Sequence, residues 1–540
     1  MKKVFAFALV GMMGAVAFPS DKKYVAFGWE FRNLTPAHIL AHADRFKDLP
    51  IDGVGIVLSA KNPKGGKFSQ ISITDDKPWV FEAFADQVPI LKELVKKPGL
   101  KESFLQGYRA PIHRADWTDD EKWATIANNM AVVARIARES GIKGISIDHE
   151  DYRQQRQYYR RSTDPSYEEC CRLARNRGRQ VFEAVFNEHP SAILLSFWVL
   201  TEDRSYFATR DPAALMRQKQ DLWPSFVAGI LDALPPTGRL IEGDEHGYRY
   251  EYFDRDFHVG MVNAKKWSAM LLPEELRSKY AFRVEQGYGQ YLDLYTHPFD
   301  PKKRAKWSVG PIGGSRLEHF RRNLQDATDL ASEYVWIWGE QYTWIDWERD
   351  AKKNVSVVYD KNWEDLLPGL SEMMHTVKGG DAAEARRLER LKSAGVVTNL
   401  LAGRRVKMWQ PVKDSKGKPW PQGTLRMIDG GIAECKGLRQ GCFYCDIGGI
   451  KPGEKYAVGV RKRGSSANAG VTWGDPEGAS YRTPSPQAIF GEPDADGWSE
   501  GMMYLTVPEG IDHLRLTFGA GWQDPDESVQ FKDWCMYRLW

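Results

Sequence analysis

The sequence predicts a (β/α)8 TIM barrel followed by a C-terminal all-β sandwich of jelly-roll type, and three observations carry that expectation. Eight strand-like runs alternate with helical segments across residues 22–378, and acidic and aromatic residues gather where those runs end. Beyond residue 396 the texture changes to short alternating segments punctuated by Gly, Pro, Asp and Asn.

The eight runs are Tyr24–Glu30, Gly53–Ser59, Phe104–Arg109, Gly144–Glu150, Ile193–Thr201, Leu240–Glu245, Tyr280–Glu285 and Tyr334–Glu340. An open doubly wound sheet is the competing α/β architecture. Its usual glycine-rich dinucleotide turn after the first strand is missing, because Gly53-Val54-Gly55 is not followed by the third glycine. The clearest unit is the fourth. Trp123, Ile126, Met130, Val133 and Ala137 recur at helical spacing, with Thr118 and Glu121 reading as a capping box. That helix returns through Gly141-Ile142 into Gly144–Glu150, which implies parallel pairing. Side chains alternate along a strand, so Ser146, Asp148 and Glu150 share one face, and two carboxylates point the same way at the end where such barrels carry their chemistry.

The other runs end in similar material: Gly28-Trp29-Glu30, Gly107-Tyr108-Arg109, Trp198 with Glu202-Asp203 beyond it, and Glu242-Gly243-Asp244-Glu245-His246. The eighth ends Trp336-Ile337-Trp338-Gly339-Glu340, with Trp344 just beyond. Carboxylates on different strands can meet over one cleft, and close carboxylates push each other's pKa values apart, so an acid and a base can coexist. Glu150, Glu245, Asp148 and Asp244 are therefore the catalytic candidates. Trp29, Trp198, Trp338 and Trp344 are candidate walls of a sugar cleft, although core packing is the alternative for each. Tyr152, Tyr248, His246 and Glu340 are placed to bind substrate.

The formal net charge of +3 and the lack of a long basic run argue against nucleic acid as partner. Residues 1–17 have the form of a bacterial export signal: Lys2-Lys3, an apolar run from Val4, then Ala15-Val16-Ala17. A secreted or periplasmic protein is expected, with no spanning helix, because no later stretch holds eighteen uninterrupted apolar residues. Cys170 and Cys171 read as core. Export allows a disulfide among Cys435, Cys442, Cys445 and Cys535, whereas a zinc site on Cys442 and Cys445 lacks a second close ligand pair. His38 and His42 have the spacing of a zinc helix but lack the accompanying glutamate. No metal and no cofactor is expected. Residues 379–395 read as a connector helix and 396–540 as a carbohydrate-binding-like sandwich, with Trp409, Trp420 and Trp473 as its glycan contacts.

The strand-four stretch resembles the signature of family 18 glycoside hydrolases, Asp-Gly-x-Asp-x-Asp-x-Glu, in which the final Glu is the acid and the Asp two before it assists. Lys143, Gly144, Ser146, Asp148 and Glu150 hold the matching positions, so the final Asp-x-Glu carries over. Asp148-His149-Glu150, Glu242–Glu245 and Trp338-Gly339-Glu340 are together similar to secreted bacterial barrels that look like glycosidases. The resemblance implies a glycoside hydrolase acting on a poly- or oligosaccharide, with Glu150 and Glu245 as opposed working carboxylates and Asp148 in support. The rival assignment makes Asp148 the nucleophile and Asp244 the acid, as the α-galactosidase-like clan would place them. Two other classes suit the same residues: a non-catalytic carbohydrate-binding surface protein, and a metal-dependent hydrolase built on Asp148, His149, Glu150 and His246.

Overall fold

The computed structural model describes residues 22–69, 73–74, 77–152, 155–250, 254–299, 307–312, 314–347, 361–411, 423–464, 467–474, 481–482, 486–508 and 510–539. The expected export signal and Trp420 lie outside the described residues.

A parallel sheet forms the first unit. Its strands are β1 (Lys23–Gly28), β2 (Gly53–Ile56), β3 (Phe104–Arg109), β4 (Gly144–Asp148), β5 (Ile193–Ser196), β6 (Arg239–Glu242), β7 (Val284–Gln286), β8 (Tyr288–Tyr291) and β9 (Tyr334–Gly339). The order around the sheet is β8-β9-β1-β2-β3-β4-β5-β6-β7. β1 and β5 are near-continuous apolar runs, as burial on both faces requires. The two ends of that order, β7 and β8, are consecutive in the chain across Gly287. Gly287 N–H donates to Glu242 O at 2.7 Å, while Gln286 O accepts from Ser332 N–H at 2.6 Å. One bent stave therefore joins β6 to β9, and eight staves close the ring. A Cβ on Gly287 would lie 3.0 Å from both Ile241 Cγ2 and Tyr334 O, so the junction leaves little room for a side chain.

The expected strand Tyr280–Glu285 begins four residues early. Tyr280–Arg283 is the last turn of the helix Glu274–Arg283, where Leu276 and Tyr280 bury one face at i, i+4 spacing. The helix before β4, α1 (Asp120–Ser140), is capped by Asp119, whose side chain accepts from Lys122 N–H at 2.9 Å. Thr118, the expected cap, donates instead to Asp116 at 2.8 Å. Gly141 ends α1 at φ 80°, a left-handed stop that favours glycine.

Two five-stranded antiparallel sheets form the second unit. One runs β10 (Lys407–Trp409), β13 (Gln440–Gly448), β18 (His513–Gly521), β15 (Ala467–Gly474), β16 (Tyr481–Arg482). The other runs β11 (Thr424–Ile428), β12 (Ile432–Lys436), β19 (Ser528–Arg538), β14 (Lys455–Gly464), β17 (Ser499–Thr506). Phe443, Val458, Leu516, Phe518 and Phe531 fill the space between them. Trp473 belongs to this core and is withdrawn from solvent, contrary to its expected glycan role, whereas Trp409 is half exposed on an edge strand. All six cysteines are free thiols, so the permitted disulfide is not formed.

The connector expected over 379–395 is the second half of a longer helix, α2 (Leu370–Ser393), bent at Gly380 (φ 53°, ψ −145°). Its first half is tied to the barrel by Lys378 on Asp52 at 2.9 Å. Beyond the bend, Leu388 packs with Ala457 and Leu539, and Glu384 pairs with Lys455 at 2.6 Å, both buried.

Candidate active site

β4 ends at Asp148, and the backbone turns there: Glu150 N–H lies 3.3 Å from Asp148 Oδ1. Glu150 in turn accepts a hydrogen bond from the Tyr152 hydroxyl. His149 goes the other way, into the protein. Its ring lies flat on Trp223, with centroids 3.6 Å apart, and its Nε2 sits 3.0 Å from a Glu202 carboxylate oxygen.

After β6 the chain turns sharply at Asp244, which holds φ 33° and ψ 75°. This left-handed residue sends two neighbouring acids in different directions. Asp244 is fully buried and accepts from the Tyr250 hydroxyl at 2.9 Å. Burial, and then the charge of Glu242, push its carboxyl up to about 7. Glu245 lies at the mouth among Glu150, Asp148 and Glu202. Burial first, then those three negative charges, hold its carboxyl well above the usual range, with Arg249 opposing. Asp148 is pushed up to about 6 by burial and by Glu150, against the pull of Arg109. The Tyr248 phenol is raised by burial and then by Glu245, Tyr152 and Glu150, while Tyr152, whose side chain is largely exposed, lies against Glu150. Asp148, Glu150, Tyr152, Glu245 and Tyr248 thus form one electrostatic cluster. Asp244 stands outside it, with Glu242, Tyr250 and Arg204 as neighbours.

His246 Nε2 is 3.1 Å from the carbonyls of both Thr201 and Glu202. Carbonyls only accept, so Nε2 carries the proton. Burial and Arg204 lower the imidazole to about 4, leaving it neutral near pH 7. Trp198 meets it edge-on at 4.6 Å and is itself buried. His246 and Trp198 therefore hold the loop after β5 against the turn after β6. Trp344 is also buried: its N–H donates to Glu30 at 2.8 Å, as does Trp347 Nε1 at 2.8 Å. Trp29 and Trp338 remain partly exposed. Trp338 Nε1 donates to Glu340 at 2.9 Å, and Tyr248 stacks on Tyr291 with centroids 5.2 Å apart.

Three supporting carboxyls escaped the sequence reading of the site. Glu202 was visible as a polar residue after strand five, but its pairing with His149 needs the fold. Glu30 was visible at the end of strand one, yet its partners lie more than 300 residues away. Asp293, fully buried, accepts from Glu340 N–H at 2.8 Å and Gln341 N–H at 3.1 Å, and no local pattern marked it. Among the described residues no three His, Cys, Asp or Glu side chains converge as a metal-ligand set. Both imidazoles of the metal-dependent alternative have other partners, Glu202 for His149 and backbone carbonyls for His246.

No family model and no curated protein matches the chain. The likeness to family 18 thus rests on Asp148-x-Glu150. Among solved structures, the chain is similar to a D-allulose 3-epimerase from Methylomonas sp., at 10% identity and a TM-score of 0.34, over 67% of this chain and 99% of that one. It is similar to the enzymatically active domain of tailspike protein 4 of bacteriophage CBA120, at 12% identity and a TM-score of 0.17, over 26% of this chain and 18% of that one. It is also similar to the CBM22-1–GH10 modules of Clostridium thermocellum xylanase 10B, at 14% identity and a TM-score of 0.17, over 26% of each chain. The chain spans well under two thirds of the tailspike and xylanase chains.

Proposed function

We propose that the protein is a glycoside hydrolase in which Glu245 is the general acid and Glu150 the opposing carboxylate, with Asp148 in support. The observation that carries this reading is the electrostatic grouping of Glu245 with Glu150 and Asp148, in which burial and the neighbouring acids hold the Glu245 carboxyl well above the usual range. A protonated carboxyl can give its proton to the glycosidic oxygen as the C–O bond breaks, and an ionised one can attack the anomeric carbon or take a proton from water. Tyr152 donates to one oxygen of Glu150 and so fixes the orientation of that carboxyl. Partly exposed Trp29 and Trp338, with Tyr248 and Glu340, would line the sugar subsites. Trp409 would give the sandwich an accessory glycan contact, and export would bring the enzyme to an extracellular or periplasmic glycan.

A glycan screen on the wild type, Glu150→Gln and Glu245→Gln tests the reading. Each substitution keeps shape but removes the titrating group, so turnover should fall by at least about a hundredfold. Azide should rescue a Glu150→Ala variant and not a Glu245→Ala variant, because a small anion replaces a nucleophile or base but not an acid. Near-normal turnover in both Gln variants would overturn the assignment. Binding without turnover in the wild type would favour the non-catalytic carbohydrate-binding reading.

A further inference from the structure

A cavity of ≈ 70 Å³ opens beside Glu150. It is too small for a sugar ring and large enough for a ring substituent. Five carboxyl residues line it, Glu150, Asp151, Glu202, Asp203 and Asp221, and among the described residues no lysine or arginine does. Three of the five are engaged. Asp151 accepts from Gln155 N–H at 3.0 Å and Gln157 N–H at 3.3 Å, and Asp221 accepts from the Tyr206 hydroxyl at 2.7 Å and Trp223 N–H at 2.9 Å. Asp203 takes Ser205 N–H at 3.0 Å and the Lys219 ammonium, which itself reaches Ser205 Oγ at 2.7 Å. Glu202 and Glu150 keep accepting capacity toward the cavity, since His149 and Tyr152 each occupy one oxygen.

His149 supplies a second, independent observation. It lines the cavity, is only 3% exposed, and its Nδ1 has no hydrogen-bond partner. A buried ring nitrogen left unpaired is costly unless a ligand completes it. In the neutral ring, with Nε2–H given to the Glu202 carboxylate, Nδ1 is a lone-pair acceptor. Glu202, Glu150 and His149 Nδ1 then all ask for a donor, and the Tyr159 hydroxyl, which also lines the cavity, can accept one.

Resting on the hydrolase reading of the same site, we propose that this cavity is a specificity subsite for the free ammonium group of an amino sugar, held by Glu202, Glu150 and His149 Nδ1. An ammonium offers three donors and the complementary charge. A hydroxyl offers one donor and no charge, and an N-acetyl group would bring a carbonyl oxygen against carboxylates.

Calorimetric titration of the full chain with three trisaccharides, at a pH where the amine is protonated, tests this: fully deacetylated chitotriose, its triacetylated form, and cellotriose. The deacetylated trimer should bind at least about tenfold more tightly than either neutral one, and Glu202→Gln should narrow that ratio to about threefold or less. Glu202 is half exposed on its side chain, so the variant should fold, which a thermal melt verifies. Equal binding of the three trisaccharides by the wild type, or an undiminished preference in Glu202→Gln, would overturn the subsite. Turnover is read separately. Amine-selective binding without cleavage would sink the hydrolase reading alone, and cleavage of neutral glycans without amine preference would sink the subsite alone.

Discussion

At Glu245 the environment decides the chemistry. The side chain is an ordinary glutamate until the fold buries it beside Glu150 and Asp148, which raises the free energy of its ionised form. The rate should therefore require its proton: kcat/KM should fall as pH rises through the raised pKa of Glu245, giving an alkaline limb. In Glu245→Gln the residual activity should lack that limb, and its persistence would assign the limb elsewhere. Asp244, one residue away, provides the contrast. It is fully enclosed and accepts from the Tyr250 hydroxyl. Asp244→Asn should keep activity within the same order of magnitude, whereas Asp244→Ala, which deprives the buried Tyr250 hydroxyl of its acceptor, should cost about 1–3 kcal/mol in denaturant melts. A collapse of turnover in a stable Asp244→Asn protein would restore the rival assignment.

At the scale of elements, the mouth is held by carboxyls that bridge one strand end to another. Glu242 at the end of β6 accepts from Val199 N–H at 2.9 Å and Leu200 N–H at 2.8 Å, fixing the segment after β5. Glu30 does the same between the end of β1 and the segment after β9, with both oxygens accepting from N–H groups. Glu30→Gln turns one acceptor into a donor that must face another donor. It should lower stability by roughly 1–3 kcal/mol and raise local amide exchange around Trp344 and Trp347. Unchanged exchange there would show that the latch does not hold the segment. The helices and most staves follow from periodicity, but the seventh does not. Tyr280-Ala-Phe-Arg is compatible with strand or helix, and only the packing of Leu276 and Tyr280 decides for helix.

For the whole molecule, the buried acids set the pH response. Asp148, Asp221 and Asp293 are raised to about 6 and Asp244 to about 7, each chiefly by burial. All four lie above their unfolded values near 4, so between those limits the native state holds protons that the unfolded chain releases. Their contribution to stability is complete below the unfolded pKa and is lost as pH rises through the folded values. Thermal melts should therefore give a lower Tm at pH 8.5 than at pH 5.5. A rise in Tm over that interval would contradict the protonated state of this group. Ion pairs such as Arg114 with Asp164 act the other way, but only below the carboxylate range, where Asp164 is held low against burial by its bonds to Arg114.

The sequence alone determined the barrel and the sandwich, because hydrophobic period and turn residues are local properties, and it brought Asp148, Glu150 and Glu245 forward, because residues at strand ends of a closed parallel ring must share one mouth. Which acids face that mouth was decided by the tertiary structure. Asp244 and Glu245 are indistinguishable as neighbours in a chain, and a left-handed backbone at Asp244 separates a fully enclosed carboxyl from a partly exposed one. The same holds for Trp198, Trp344 and Trp473, whose composition suited a sugar surface and whose packing placed them in the interior. Burial, pairing and the pKa of an acid depend on groups brought together from distant parts of the chain, and strand periodicity carries no record of those partners.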